Sequence, residues 1–105
     1  MQISYPVTAI TVTHNSLKVL PKFIESLQSL NIAEIIVVDA GSDDGTLDFL
    51  ERSNVRVIRE DNIGFGRANN IGVSAASQEF ILFINPDVLI KPVDFKKVFQ
   101  FFLVS

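Results

Sequence analysis

The sequence predicts an α/β domain built on one open parallel sheet, with helices on both faces and strand order 3-2-1-4. Three observations point there. Strand-like and helix-like segments alternate along the chain from Val7 onward. The run Ile32–Val38 is apolar almost without a break, the pattern of a strand covered on both faces. Polar turn residues follow the strand-like runs, at Thr13-His14-Asn15-Ser16, Asp39–Gly45 and Asn85-Pro86-Asp87.

Each element has its own signature. Val7–Val12 alternates apolar residues with Thr and reads as strand one. Leu17, Leu20, Ile24, Leu27 and Leu30 recur at helical spacing, with Ser16 as the expected N-cap and Pro21 near the start. Strand two, Ile32–Val38, ends at Asp39. Thr46–Arg52 is a short helix with Leu47 and Leu50 facing inward. Val55–Ile58 is strand three, Phe65–Ala76 a helix rich in small residues, and Phe80–Ile84 strand four. Asp94 is the expected N-cap of a last helix carrying Phe95, Val98, Phe99 and Phe102. No repeat or linker interrupts the single domain, residues 1–105.

Right-handed crossovers select the order 3-2-1-4, in which the chain reverses direction between strands one and four. Ligands of such sheets bind outside the carboxyl ends of the strands at that reversal. Thr13, His14, Asn15, Asp39, Asn85, Pro86 and Asp87 all fall at strand ends, so the topology gathers them on one edge.

Composition narrows the function classes. The net charge of −3 gives no footprint for nucleic acid. The absence of cysteine removes disulfides, zinc–thiolate sites and Cys nucleophiles. No run reaches the ~18 apolar residues of a membrane span. Met1–Thr13 lacks a basic start and a cleavage pattern, so a cytoplasmic protein is expected, one able to sit peripherally at the inner membrane face.

Asp87 is the sharpest candidate residue. A carboxylate at a strand tip can hold Mg2+ or Mn2+ together with substrate phosphates, and Pro86 fixes how it projects. Asn-Pro-Asp is also simply a good turn. Asp39 can accept from a ligand's N–H or hydroxyl, or cap the following turn. Asp43 and Asp44 read as structural. Gly64 and Gly66 suggest a phosphate-cradling loop, yet Asn69 stands where a dinucleotide fingerprint needs glycine. Asn62, Asn69 and Asn70 can bond a ligand or staple the loop, and stapling is expected of at least two. His14, the one histidine, has no second ligand for a metal site and reads as a partly exposed strand-end residue. Ser16 has no triad partners. Phe95, Phe99, Phe101 and Phe102 are expected to pack rather than bind.

Four strings, in this order and spacing, resemble family-2 glycosyltransferases of the GT-A fold. They are Thr13-His14-Asn15, Val38–Thr46, Asn62–Gly72 and Leu82–Asp87, within a match from about Pro6 to Asp94. Gly-Phe-Gly-Arg-Ala-Asn-Asn and Asn-Pro-Asp look most like the rhamnosyltransferase branch. The resemblance implies a Rossmann-like nucleotide-binding half that takes a UDP- or dTDP-sugar. It implies nucleotide contact by Thr13, His14 and Asp39, with Asn62, Asn70 and Asn85 completing the set. It implies Asp87 as the last acid of an Asp-x-Asp position holding Mg2+ or Mn2+ against the diphosphate. It further implies inverting transfer to a hydroxyl of a glycan or lipid-linked acceptor, in cell-wall or polysaccharide synthesis. Two positions depart from the family: Ala40 replaces a common Asp or Asn near the base, and Asn85 replaces the first acid of the motif.

Family catalytic domains are about twice this length, and their general base follows the motif. The chain therefore reads as the nucleotide-binding half of a transferase, from a truncated chain, a split gene or a degraded gene product. No catalytic base is expected before Ser105, and little or no transfer by the chain alone. Apolar surface left uncovered, with the Phe-rich last helix as its expected site, suggests a homodimer. Two other readings compete. A phosphoacceptor receiver domain fits the length and Lys91-Pro92, but lacks the acid pair after strand one and has its lysine misplaced. A non-catalytic nucleotide-binding or assembly module keeps the fold without the chemistry.

Overall fold

A computed structural model describes residues 4–104, with side chains through residue 100. The strands are β1 (Tyr5–Thr13), β2 (Ile32–Ala40), β3 (Arg56–Glu60) and β4 (Phe80–Phe83). The helices are α1 (Leu20–Gln28), α2 (Thr46–Glu51), α3 (Phe65–Ala75) and α4 (Pro92–Val104). All strand pairs are parallel and the order is β3-β2-β1-β4, as the alternation predicts. Among the described residues no helix is long and apolar enough to cross a membrane.

Residue parity divides the core into two layers. Val7, Ala9 and Val37 face α1 (Leu20, Phe23, Ile24, Leu27), Leu50 of α2, and Phe95 and Phe99 of α4. Each of the larger side chains, Val, Leu, Ile or Phe, contributes about 1.5–3 kcal/mol on burial. Ile36 and Val38 face the opposite way, onto Ala68 of α3. The small residues of α3 let its backbone approach the sheet, and Gly72 sits against Ile10. Tyr5 meets Phe95 and Phe99 edge-on, with ring centroids 5.2 and 4.9 Å apart. Phe80 meets Phe99 at 5.4 Å, so α4 is stitched to β1 and β4.

Helix starts depart from expectation. Ser16 does not cap α1. Its carbonyl accepts from Val19 and Leu20 in a turn, and the helix begins a few residues later, at Leu20, with Pro21, whose fixed φ and missing N–H suit a first turn, just inside it. Leu17 and Leu30 therefore lie outside it. α4 begins at Pro92, the Lys91 carbonyl accepting from Asp94 and Phe95, so Asp94 lies inside the first turn, where its charge still complements the helix dipole. Leu47 is only half-buried, and Phe49 joins Leu50 against the core instead.

Phe95 and Phe99 pack as expected and are buried, so they cannot supply the uncovered patch. Side-chain packing by Phe101 and Phe102 lies outside the described residues. Val93 (57%) and Val98 (55%) on the same helix are exposed, as are Phe83 (55%), Leu89 (59%) and Phe65 (59%) away from it. β4 pairs with β1 on one side only. The last β1 residue matched by β4 is Ile10, so Thr11, Val12 and Thr13 run on beyond β4 while still paired with β2.

Candidate nucleotide-binding edge

Thr13 and Asp39 are register partners at the carboxyl ends of β1 and β2, and both are buried. The Thr13 hydroxyl donates to Asp39 Oδ1 at 2.7 Å. The Ser42 hydroxyl donates to the same oxygen at 2.6 Å, and the Ser42 N–H to Oδ2 at 3.1 Å. The capping role open to Asp39 is thus filled, and lone-pair capacity remains on Oδ2. Charge-assisted bonds of this kind offset the cost of burying a carboxylate. The hydroxyl of Thr11, earlier on the same strand face, is buried without a hydrogen-bond partner among the described residues.

The loops after β1 and β2 clamp each other. Asn15 N–H donates to Ser42 Oγ (2.8 Å), and Asp43 N–H returns a bond to Asn15 Oδ1 (2.8 Å). Ser16 N–H reaches Thr46 Oγ1 (2.9 Å), and Leu17 N–H reaches Asp44 Oδ2 (3.2 Å). Asp44 also accepts from the Thr46 N–H and hydroxyl, the hydroxyl bond being the main cause that lowers its pKa below the ordinary 3.8. Asp44 is structural, as its place among loop acids suggested. Gly41 and Gly45 adopt left-handed φ of 72° and 95°, which glycine alone takes without strain.

His14 is exposed, and its Nδ1 lies 2.6 Å from the Ala40 carbonyl. A carbonyl can only accept, so Nδ1 carries the proton, leaving Nε2 as an acceptor when the ring is neutral. Asn62 is exposed, and its backbone packs against Gly41. Among the described residues Asn62, Asn69 and Asn70 make no side-chain hydrogen bond, so the expected stapling is absent and their amides are uncommitted. Asn85 and Asp87 are exposed in a turn closed by Val88 N–H to the Asn85 carbonyl (3.1 Å).

Two openings lie along this edge. One, about 330 Å3, is lined by Asp39, Ser42, Leu47, Arg59 and Asp61. The other, about 320 Å3, is lined by Phe65, Asn69, Phe83, Asn85 and Val88. Asp39 and Asn85 line separate openings on the shared edge, and Thr13, His14, Asn62, Asn70 and Asp87 line neither. Asn69, outside the set the resemblance implies, does line the second. A larger hollow of about 670 Å3 opens at the amino ends, around Asn31, Ile32 and Arg52, away from every acid discussed. Parallel sheets place ligands at the carboxyl edge, which favours the smaller pair.

Among the described residues no three His, Cys, Asp or Glu side chains gather as metal ligands. One exposed carboxylate beside an amide does suit a cation that brings most of its oxygens with it, as Mg2+ does when it arrives on a diphosphate with its waters. Asp87 fits that partial role.

The sequence model described as Glycosyl transferase family 2 matches residues 8–104. EpsH of Bacillus subtilis, which carries a glycosyltransferase assignment, is 34% identical over 93 residues, 82% of this chain and 27% of its own. The cholesterol galactosyltransferase of Borreliella burgdorferi is 30% identical over 79% of this chain and 25% of its own. Among solved structures, TarS of S. aureus (residues 1–349) superposes with a TM-score of 0.78 at 28% identity, over 90% of this chain and 31% of that one. Glucosyl-3-phosphoglycerate synthase from Mycobacterium tuberculosis, solved with Mn2+, UDP and glucosyl-3-phosphoglycerate, gives 0.71 at 25% identity, over 83% and 36%. The chain thus spans about a quarter to a third of these relatives.

Proposed function

The chain belongs to glycosyl transferase family 2, and from that premise we propose that it forms the donor-binding part of an enzyme transferring sugar from a UDP- or dTDP-sugar to a hydroxyl acceptor with inversion. One observation carries the reading. In a 3-2-1-4 sheet, the Thr13–Asp39 pair and the exposed Asp87 turn stand on the same carboxyl edge, either side of the reversal. A related synthase has been solved with Mn2+ and UDP.

In this proposal Thr13 and Ser42 hold the Asp39 carboxylate, whose remaining lone pair accepts from the base or ribose. His14 Nε2 and the free amides of Asn62 and Asn85 bond the nucleotide, with Asn70 as the outermost member. Asp87 would hold Mg2+ or Mn2+, which offsets charge on a leaving diphosphate. Ala40 supplies only its carbonyl, to His14, so base selectivity rests on the other groups. Because the chain spans only about a quarter to a third of its relatives, it is expected to bind donor and transfer little by itself. A cytoplasmic or peripheral location follows from the nucleotide-sugar substrate, and a homodimer from the exposed apolar side chains around β4.

Calorimetry with UDP and dTDP, with and without Mn2+, tests this. Metal-dependent binding lost in Asp87→Ala is expected; binding indifferent to that change overturns the metal role. The receiver alternative is disfavoured by the strand order, which in that fold runs 2-1-3-4-5.

A further inference from the structure

Asp87 lies in the segment between β4 and α4, which is held at two points. At the near end Ile84 is buried and its N–H donates to the Ile10 carbonyl at 3.1 Å. At the far end Ser26 of α1 bonds Ile90 twice. Its hydroxyl donates to the Ile90 carbonyl at 3.1 Å and accepts the Ile90 N–H at 3.2 Å. Between the anchors, Asn85, Asp87, Val88 and Leu89 are exposed. The Val88-to-Asn85 bond shapes the bend there.

We propose that Ser26, on a helix that contributes nothing else to the site, is a positioning residue for Asp87. This rests on reading Asp87 as the group that takes the cation. One hydroxyl satisfies both polar groups of a single peptide residue, so its removal strands an N–H and a C=O together. The segment is then released to seek water, and fewer molecules hold Asp87 where a diphosphate-borne cation meets it. Apparent affinity falls in proportion to the competent fraction. Alanine favours the helix itself, so α1 survives the change.

The test compares wild type, Ser26→Ala and Ser26→Thr, which keeps a hydroxyl. Without ligand, the Ile90 amide exchanges roughly fivefold faster or more in Ser26→Ala, as loss of about one hydrogen bond implies. Exchange at Ile36 and Val37 stays unchanged, and threonine restores Ile90 protection. With ligand, Mn2+-dependent affinity for UDP falls measurably in Ser26→Ala, by up to about fivefold, while any UDP binding without Mn2+ is unaltered. Unchanged Ile90 exchange overturns the inference, as does wild-type affinity in Ser26→Ala. A wild-type chain that binds UDP no better with Mn2+ overturns the reading of Asp87 and this inference with it. Metal-dependent wild-type binding beside an unaffected Ser26→Ala overturns this inference alone.

Discussion

A Cβ placed on Gly72 would stand 2.5 Å from Ile10 Cγ2, so the backbone of α3 rests directly on the Ile10 side chain of β1. Ile10 is fully buried and cannot swing away. Gly72→Ala should therefore destabilise the chain by about 1–3 kcal/mol, although alanine is the better helix former. Urea unfolding measures it. Combining it with Ile10→Ala should cost less than the two changes summed, and full additivity would show that the two positions do not meet.

Thr13→Val keeps the shape of the strand end and removes one of the donors to Asp39. A hydrogen bond to a charged group contributes about 1.5–3 kcal/mol, so stability at neutral pH should fall by that order. UDP affinity should fall with it, because the carboxylate loses one of the bonds that aim it. Equal stability of the variant in urea would mean that Ser42 alone suffices to hold Asp39.

Glu34 offers a pH dependence whose direction is set. Burial pushes its pKa up, but the Ser77 N–H (2.9 Å), the Thr8 hydroxyl (2.8 Å), the Ser77 hydroxyl and the charge of Arg56 together bring it below the ordinary 4.5. A carboxyl depressed on folding adds stability that is fully present above its unfolded value and lost as pH falls through the folded one. Wild type should therefore be more stable than Glu34→Gln at pH 7, and the gap should close below pH 4.5. Urea midpoints across that range decide it.

Phe83 is 55% exposed on the edge strand β4, and Phe65 is 59% exposed at the start of α3. Edge strands without charges invite pairing with another chain. Light scattering should show mass rising with concentration for the wild type and much less for Phe83→Lys. A clean monomer at every concentration would remove the homodimer proposal.

Sheet order and strand ends were legible because apolar runs such as Ile32–Val38 have one sensible home, a layer covered on both sides. The acids were legible for the same reason, since a carboxylate after such a run must sit at the rim. Helix starts were less so. Ser16 looks like a cap in sequence, but its backbone is drawn into bonding Thr46 at the start of α2, a distant partner that no local pattern contains. The asparagines after β3 misled in the opposite sense. Their composition suggests loop stapling, whereas their amides are unpaired, because the clamp is made by Asn15 and Ser42 instead. The signal for that clamp was present, as short polar residues just past the ends of two adjacent strands. The Ser26–Ile90 link had none, being a contact between residues far apart in the chain.

The early end of β4 turns the rim of the sheet into a step. Thr11, Val12 and Thr13 continue past Ile10, the last residue β4 accompanies, a rise of roughly 10 Å of extended backbone. With Thr11 and Thr13 buried, a guest settling there would meet the half-buried Val12 on the upper tread and the turn after β4 on the lower. Head and tail of such a guest are then told apart by height, before any individual side chain is consulted.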